Sequence, residues 1–174
     1  MTKREFTRRV WNGKEDVLEA FLESLNRAKI KFCVIGGLAV NAYTEPVVSL
    51  DLDIVVPTIQ VSKLMSVLPR AAKTIRFAHS LNIEFPGSDV RIQVQTDERY
   101  QPFLRRARKK SVLDYQMPVA HIEDVLQGKI WAASDESRRA SKRQKDLADI
   151  LRLIESRKNL AALVPPALKK KLLV

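Results

Sequence analysis

Apolar positions along the chain follow a helical period in some segments and a strand period in others, which predicts a mixed α/β fold. Apolar side chains that recur every three or four residues indicate helices, and these are predicted at residues 15–28, 38–43, 60–68, 100–110 and 121–133. Apolar side chains that run together or alternate with polar ones indicate strands, and these are predicted at residues 31–35, 49–56, 81–85, 90–95 and, interrupted at 116–118, 112–120.

The strand at residues 49–56 is predicted to be central, because Ile54-Val55-Val56 is apolar on both faces. The last long helix is expected to begin at Ser134-Asp135 and to bury one stripe of side chains, namely Ala140, Leu147, Ile150, Leu151 and Ile154. The predicted organisation is a basic N-terminal arm, a core, a helical portion of the same domain and a loose basic tail, at residues 1–13, 14–120, 121–160 and 161–174.

The stretch at residues 31–56 carries the candidate chemistry. Gly36-Gly37 follows the first strand, and glycine lets the backbone bend sharply and a ligand approach closely. Asp51 and Asp53 are two apart on the second strand, so both carboxylates share one face while Leu50, Leu52 and Ile54 face the core. Paired carboxylates suit Mg²⁺ or Mn²⁺, and a phosphate cradle beside such a metal is typical of phosphoryl or nucleotidyl transfer.

These residues resemble the signature of the polymerase-beta-like nucleotidyltransferase superfamily, and the chain is similar to its AbiEii-type, toxin-like branch over roughly residues 15 to 157. The matching motifs are Gly36-Gly37 and the run from Ser49 to Asp53, with Lys129 and Lys145-Asp146 in the later helices. The resemblance implies an α/β (α+β) nucleotidyltransferase fold. In that fold a small mixed sheet is flanked by helices, and a C-terminal helical portion follows.

The resemblance also implies the site. Asp51 and Asp53 would hold the metal as catalytic residues, with Asp146 as a possible third acid or base. Gly36, Gly37, Ser49, Arg91 and Lys129 would bind the nucleotide. Three of these assignments have an alternative: Arg91 pairs with Glu84 across the hairpin, Lys129 is a solvated surface lysine, and Asp146 pairs with Lys142 or Arg143.

Two positions depart from the family pattern. Val47 stands where an arginine is common, and Gln93 stands where a third carboxylate is expected on a later strand. An amide oxygen can coordinate a metal but adds no charge, so metal affinity should fall unless Asp89, Asp97 or Asp146 substitutes. A catalytically degenerate, RNA-binding protein of the same fold is therefore one alternative function. A nucleotidyltransferase acting on a small molecule is another.

The charge of the protein indicates a class of partner. A net charge of +11 and a pI near 10 favour binding to polyanions. The expected acceptor is therefore RNA, such as tRNA, with a protein as the other possibility. An aromatic content of 6% argues against a surface that binds single strands by stacking. The expected partners are an NTP, a nucleic acid and, by the resemblance, an antitoxin protein. No membrane span is predicted, and a cytoplasmic location is expected. The lone Cys33 is expected to be buried and without a disulfide.

Overall fold

The computed structural model describes Glu5, Arg9 and residues 16–49 and 51–172. The predicted basic arm therefore lies outside the described residues, except at Glu5 and Arg9. Leu50, which was predicted to face the core, also lies outside them. Seven strands form one mixed sheet in the order β3-β4-β5-β2-β1-β7-β6. They are β1 (Cys33–Ile35), β2 (Asp51–Val55), β3 (Lys73–Arg76), β4 (Ser80–Glu84), β5 (Arg91–Gln95), β6 (Arg108–Val112) and β7 (Tyr115–Val119).

Helices pack against this sheet and continue beyond it toward the C-terminus. They are α1 (Val17–Arg27), α2 (Gly36–Asn41), α3 (Val61–Val67), α4 (Phe103–Arg106), α5 (Ile122–Ser134), α6 (Ala140–Ser156) and α7 (Pro166–Lys169). Short 3₁₀ turns cover Thr58–Gln60, Glu98–Tyr100 and Lys158–Leu163. The mixed sheet flanked by helices, with a helical C-terminal portion, confirms the fold class expected from the sequence.

The centre of the sheet is fully apolar on its inner positions, as the sequence predicts for β2. Leu52, Ile54 and Val55 are 0% exposed, and Cys33 of β1 is buried beside them. Burial raises the pKa of the Cys33 thiol to about 12, so this residue is an inert packing group rather than a nucleophile.

Strand register places the polar side chains of β2 and β5 next to each other. The two strands are parallel, and Asp51 pairs with Arg91 while Asp53 pairs with Gln93. On the other side of β2, the antiparallel strand β1 places Ile35 opposite Asp53, immediately before Gly36. The topology therefore brings the predicted Gly-Gly turn and the predicted carboxylates to one place.

The predicted basic helix at residues 100–110 is wrong in its second half. Helix α4 ends at Arg106, and residues 108–112 form the edge strand β6. A two-residue turn at Leu113 and Asp114, both with positive φ (52° and 68°), then returns the chain into β7. Strand pairing overrides the helical preference of the basic residues, because β6 obtains its backbone hydrogen bonds from β7.

The last long helix also differs from the expectation. It begins at Ala140 rather than at Ser134-Asp135, and its buried residues are Asp146, Leu147, Asp149, Ile150 and Leu153. Two carboxylates thus take part in the stripe, and Ala140, Leu151 and Ile154 are not among the buried residues. In the segment predicted as a loose tail, Leu168 and Leu172 are buried in the core, so residues up to 172 are packed against the domain. Strand β3 at the other sheet edge was not predicted, because its side chains are all exposed.

Candidate active site

The turn between β1 and α2 lies directly against the carboxylate of Asp53. Gly36 has a φ of +66°, a conformation that residues with a Cβ rarely adopt. A Cβ atom at Gly36 would lie 2.8 Å from Asp53 Cγ and would overlap Oδ2 of the same side chain. Glycine is therefore required here for two independent reasons, the backbone angle and the close approach of the carboxylate.

Gly37 and Ser49 form the layer behind this turn. A Cβ atom on Gly37 would lie 3.6 Å from Ser49 Oγ, which is an ordinary contact. The buried Ser49 hydroxyl donates to the backbone oxygen of Asp51 at 3.2 Å, and the Asp51 amide donates to the hydroxyl oxygen at 3.4 Å. Ser49 thus fixes the start of the strand that carries both carboxylates.

Arg91 forms an ion pair with the first carboxylate. Its Nε lies 2.9 Å from Asp51 Oδ1, and the two side chains are 58% and 30% exposed. Glu84 faces Arg91 across the β4–β5 hairpin in the strand register, but the ion pair that the structure records for Arg91 is the one with Asp51. Arg91 is consequently on the site face of the sheet, beside the predicted metal ligand.

Asp53 lies deeper than Asp51, at one wall of a cavity of about 120 Å³ between the sheet and helix α5. Gly36 and Gln93 line the same wall, and Lys129, Arg138 and Asp146 line the opposite one. Burial raises the pKa of Asp53 to about 6, although Lys129 opposes that rise, and the neighbouring Asp51 charge adds to it. The site thus holds a carboxylate that titrates close to neutral pH.

A buried cluster of ion pairs forms the helical side of this cavity. Lys129 Nζ lies 2.9 Å from Asp146 Oδ1 and 2.7 Å from Asp149 Oδ2. Burial alone would lower the pKa of Lys129, but the charges of Asp149 and Asp146 more than offset it, so the pKa is raised. Lys129 is therefore a charged residue that joins α5 to α6, and the alternative of a solvated surface lysine is wrong.

The cluster extends outward through two arginines, one at the mouth of the cavity and one at its back. Arg138 Nε donates to Asp146 Oδ2 at 2.8 Å, and the Arg138 side chain is 40% exposed. Arg152 donates to Asp149 Oδ1 at 2.8 Å. Arg152 also donates to the side chain of Asn41 and to Thr44, which ties α6 to the end of α2. Asp146 therefore pairs with Lys129 and Arg138, not with Lys142 or Arg143.

The structure brings together most of the residues singled out in the sequence. Gly36, Asp53, Lys129 and Asp146 line one cavity, and Asp51, two residues before Asp53 on β2, pairs with Arg91. The other candidates for a third acid lie outside that lining. Asp97 caps the 3₁₀ turn at Glu98–Tyr100, and Asp89 lines a separate cavity beside Arg91.

Sequence reasoning missed the aromatic and arginine side of the site. Tyr100 and Phe103 line the cavity wall. A Cβ atom on Gly128 would lie 3.3 Å from Tyr100 Cε1, so Gly128 permits this ring to pack closely against α5. No local sequence pattern singles out Arg138. Its position eight residues before Asp146 carries no pattern, because the loop between α5 and α6 determines where it points.

A Gly-Gly turn against a strand with paired carboxylates, on a mixed sheet flanked by helices, defines the class as the nucleotidyltransferase fold. The antibiotic-resistance factor ANT(2'')-Ia has the same fold, with a TM-score of 0.65 over 88% of this chain and 90% of that chain, at 10% identity. A lincosamide antibiotic adenylyltransferase solved with lincomycin matches with a TM-score of 0.57, covering 82% and 99% of the two chains at 13% identity.

A nucleotidyltransferase-like antigenic protein from Paracoccidioides brasiliensis is also similar. Its TM-score is 0.55, with 90% of each chain covered and 18% identity. A search of curated proteins gives no match. Residues 20–173 match the family model described as nucleotidyl transferase AbiEii toxin, type IV TA system, and the chain belongs to that family.

Among the described residues, no helix is long and apolar enough to cross a membrane.

Proposed function

We propose that the protein transfers a nucleoside monophosphate from a nucleoside triphosphate to an acceptor hydroxyl, with Mg²⁺ or Mn²⁺ as cofactor. The observation that carries this proposal is the contact between Gly36 and the Asp53 carboxylate, with Asp51 on the same face of β2. Metal-binding carboxylates beside a turn that lets a ligand approach the backbone are the parts that nucleotidyl transfer requires.

The donor set fits a hard divalent cation. Asp51 and Asp53 offer carboxylate oxygens on one strand face, and Gln93 lies opposite Asp53 on the neighbouring strand. Within the described residues, no three His, Cys, Asp or Glu side chains are grouped to hold a metal. Further ligands would therefore be the Gln93 amide, phosphate oxygens and water. When bound, the cation would neutralise triphosphate charge and polarise the reacting phosphate.

The protein residues around this point bind and orient the nucleotide in the proposal. Gly36 and Gly37 present backbone that a phosphate can approach closely, and Ser49 holds the start of the carboxylate strand in place. Arg91 at the start of β5 and Arg138 at the mouth of the cavity offer partly exposed guanidinium groups to phosphate oxygens. Lys129 adds a buried positive charge from α5, on the cavity wall.

Asp146 has a positioning role in this proposal rather than that of a general base. One of its carboxylate oxygens pairs with Lys129 and the other with Arg138. Both oxygens are thus already engaged by cations of the cavity wall. Its effect on the reaction would be to hold both cations at the cavity wall, where the charges of Lys129 and Arg138 lower the pKa of Asp53.

The proposed acceptor is an RNA, with tRNA as one possibility. The protein carries a net charge of +11, and the charge of the exposed Lys145 on α6 reaches Asp53 strongly enough to lower its pKa. Positive charge thus extends from the cavity onto the surface of α6, where a polyanion would be attracted. An antitoxin partner in the same cell is part of the proposal, since the family is a toxin family of type IV TA systems.

The experiment is a transfer assay with labelled ATP, GTP, CTP and UTP, total RNA as acceptor, and Mg²⁺ or Mn²⁺. Labelled RNA formed by the wild type and lost in Asp51→Asn and Asp53→Asn is the expected result. Chelation of the metal should abolish transfer. Asp89→Asn, which alters a carboxylate outside the cavity, is the matched control and should transfer normally.

One observation favours a catalytically degenerate, RNA-binding protein as the second candidate. Gln93 occupies the register position beside Asp53, and an amide there reduces the negative charge available to a metal. On that reading the wild type binds RNA but transfers no nucleotide to it. Gln93→Asp separates the two functions, because it supplies the missing charge and should create transfer only if the rest of the site is intact.

A further inference from the structure

A second cavity of about 450 Å³ opens beside the catalytic one. The two share four lining residues: Gln95, Tyr100, Ala132 and Arg138. A ligand that starts at Asp53 can therefore continue into the second cavity past Arg138. The additional wall is formed by the β3–β4 turn, the 3₁₀ turn after β5 and the end of α5, and its side chains include His79, Arg99, Trp131 and Asp135.

The most constrained group in this wall is the guanidinium of Arg99. Its Cζ lies 5.1 Å from the centroid of the Trp131 ring. Arg99 Nη2 donates to Asp97 Oδ2 at 2.7 Å and Arg99 Nε to the same oxygen at 3.0 Å. Asp97 also accepts from the Arg99 backbone amide at 2.9 Å. The indole below and the carboxylate at the edge together fix the plane of the guanidinium.

Trp131 is itself held in place. Its ring stacks on Phe103 at 5.8 Å with an interplanar angle of 9°, and Tyr100 contacts it edge-on at 5.1 Å. Phe103 is buried at 4% exposure, so this aromatic stack is anchored in the core. The Arg99 side chain is 60% exposed on top of the stack, and it lines the second cavity. The result is a flat, rigid cationic surface.

Flat guanidinium surfaces on aromatic rings bind the π-faces of nucleobases. Other groups of the cavity fit the edge of a base, since Gln95 and His79 carry hydrogen-bonding atoms and the Asp135 carboxylate accepts hydrogen bonds. The same carboxylate disfavours a phosphate in this cavity, whereas Lys129 lines only the neighbouring cavity, where the proposed metal at Asp53 would also attract phosphate. A nucleotide with its phosphates at Asp53 would therefore place its base in the second cavity.

We propose that the second cavity is a nucleobase site in which the base stacks on the guanidinium of Arg99. The proposal deepens the proposed function, on which it rests for the nucleotide nature of the ligand. The base has two possible sources, the NTP or the terminal nucleotide of the acceptor strand, and both offer the same chemistry to Arg99. The low aromatic content of the chain argued against a surface that binds bases by stacking. A single stacking site needs few aromatic residues, however, and three of them, Tyr100, Phe103 and Trp131, lie together here.

The test is equilibrium binding followed by Trp131 fluorescence, without metal, in a Trp11→Phe background that leaves Trp131 as the single tryptophan. In the first arm, AMP, GMP, CMP and UMP are compared with ribose 5-phosphate, which lacks a base. In the second arm, a short single-stranded RNA is compared with the same RNA ending in an abasic ribose. Each arm is repeated with Arg99→Ala, Arg99→Lys and Arg70→Ala, the last being an exposed arginine outside both cavities.

Base-dependent binding that weakens about tenfold in Arg99→Ala and Arg99→Lys, and not in Arg70→Ala, is expected from the loss of one stacking contact. Arg99→Lys retains the positive charge but removes the planar guanidinium group. Its binding therefore separates stacking on the base from attraction to phosphate. If the Arg99 variants lose base-dependent binding of the mononucleotides, the cavity is assigned to the NTP base. If they lose base-dependent binding of the RNA, it is assigned to the acceptor strand.

Equal binding with and without the base, or base-dependent binding that both Arg99 variants retain in both arms, overturns the proposal. Because the assay measures binding without metal, it is independent of catalysis. A protein that fails the transfer assay and still shows Arg99-dependent base binding would contradict the proposed function and support the nucleobase site.

Discussion

Gly36 contacts the carboxylate of Asp53 so closely that a Cβ atom at position 36 would lie 2.8 Å from Asp53 Cγ. The next glycine has no such constraint, since a Cβ on Gly37 would lie 3.6 Å from Ser49 Oγ. The two neighbouring glycines of one motif are therefore expected to respond differently to the same substitution. The difference can be used to test whether the turn serves Asp53.

Gly36→Ala should destabilise the protein by about 1–2 kcal/mol from its positive φ alone, and further through overlap with Asp53. Gly37→Ala, in helix α2, would bring the new Cβ only into ordinary contact with Ser49, so it should be neutral or stabilising by up to about 1 kcal/mol. Chemical denaturation measures both values, and Mn²⁺ binding reports displacement of Asp53. Equal effects of the two substitutions on stability and metal affinity would contradict the structural account.

Asp53 should make stability depend on pH in an unusual direction for an acid. The pKa of Asp53 is about 6 in the folded protein, against an ordinary value of 3.8, so the folded state binds a proton before the unfolded state does as the pH falls. The free energy of unfolding therefore increases as the pH falls from about 6 to about 4. At pH 7 the buried charge of Asp53 destabilises the folded state by about 3 kcal/mol at most. Denaturation of metal-free protein should show Asp53→Asn more stable than wild type at pH 7 and equal to it below pH 4.

The same titration should govern metal binding. A proton and a divalent cation compete for the Asp53 carboxylate, so Mn²⁺ affinity should be level above pH 7 and fall about tenfold per pH unit once the pH is well below 6. Calorimetric titration at several pH values measures this profile. An affinity that stays constant down to pH 5 would show that Asp53 is not a ligand.

Lys129 should contribute mainly to stability. Lys129→Met would leave the buried Asp146 and Asp149 without their shared cation, and removing one partner of a buried ion pair costs about 3–5 kcal/mol. Lys63→Met, at an exposed position of α3, is the matched control and should change stability by less than about 0.5 kcal/mol. Urea denaturation at neutral pH distinguishes the two, and a small effect at Lys129 would mean that the cluster is more hydrated than its burial indicates.

Arg91 should oppose metal binding and assist nucleotide binding. Arg91→Ala frees Asp51 from its ion pair, so the affinity for Mn²⁺ alone should increase, by about fivefold at most because the pair is partly exposed. Affinity for an NTP–Mn²⁺ complex should decrease if Arg91 contacts the triphosphate. Calorimetry with Mn²⁺ alone and with the NTP–Mn²⁺ complex measures the two affinity changes. Arg76→Ala on the exposed edge strand β3 is the control.

Local sequence patterns determined the part of the site that lies on β1, α2 and β2. The alternation at residues 51–55 is a property of strand geometry, so Asp51 and Asp53 share a face whatever surrounds them. The two polar alternations of β4 and β5 likewise predicted a hairpin, which the structure contains in register. Lys129 and Asp146 were recognised by resemblance to a family, and no local pattern indicated that they pair.

Tertiary structure decided everything that depends on elements distant in sequence. The parallel pairing of β2 with β5 selected Asp51, and not Glu84, as the partner of Arg91. The packing of α5 on α6 buried Lys129 between two carboxylates. The 3₁₀ turn after β5 positions the guanidinium of Arg99 over the ring of Trp131. Such contacts join residues up to tens of positions apart, where hydrophobic periodicity carries no information. The ion pairs and the aromatic stack of this site therefore become visible only in the folded chain.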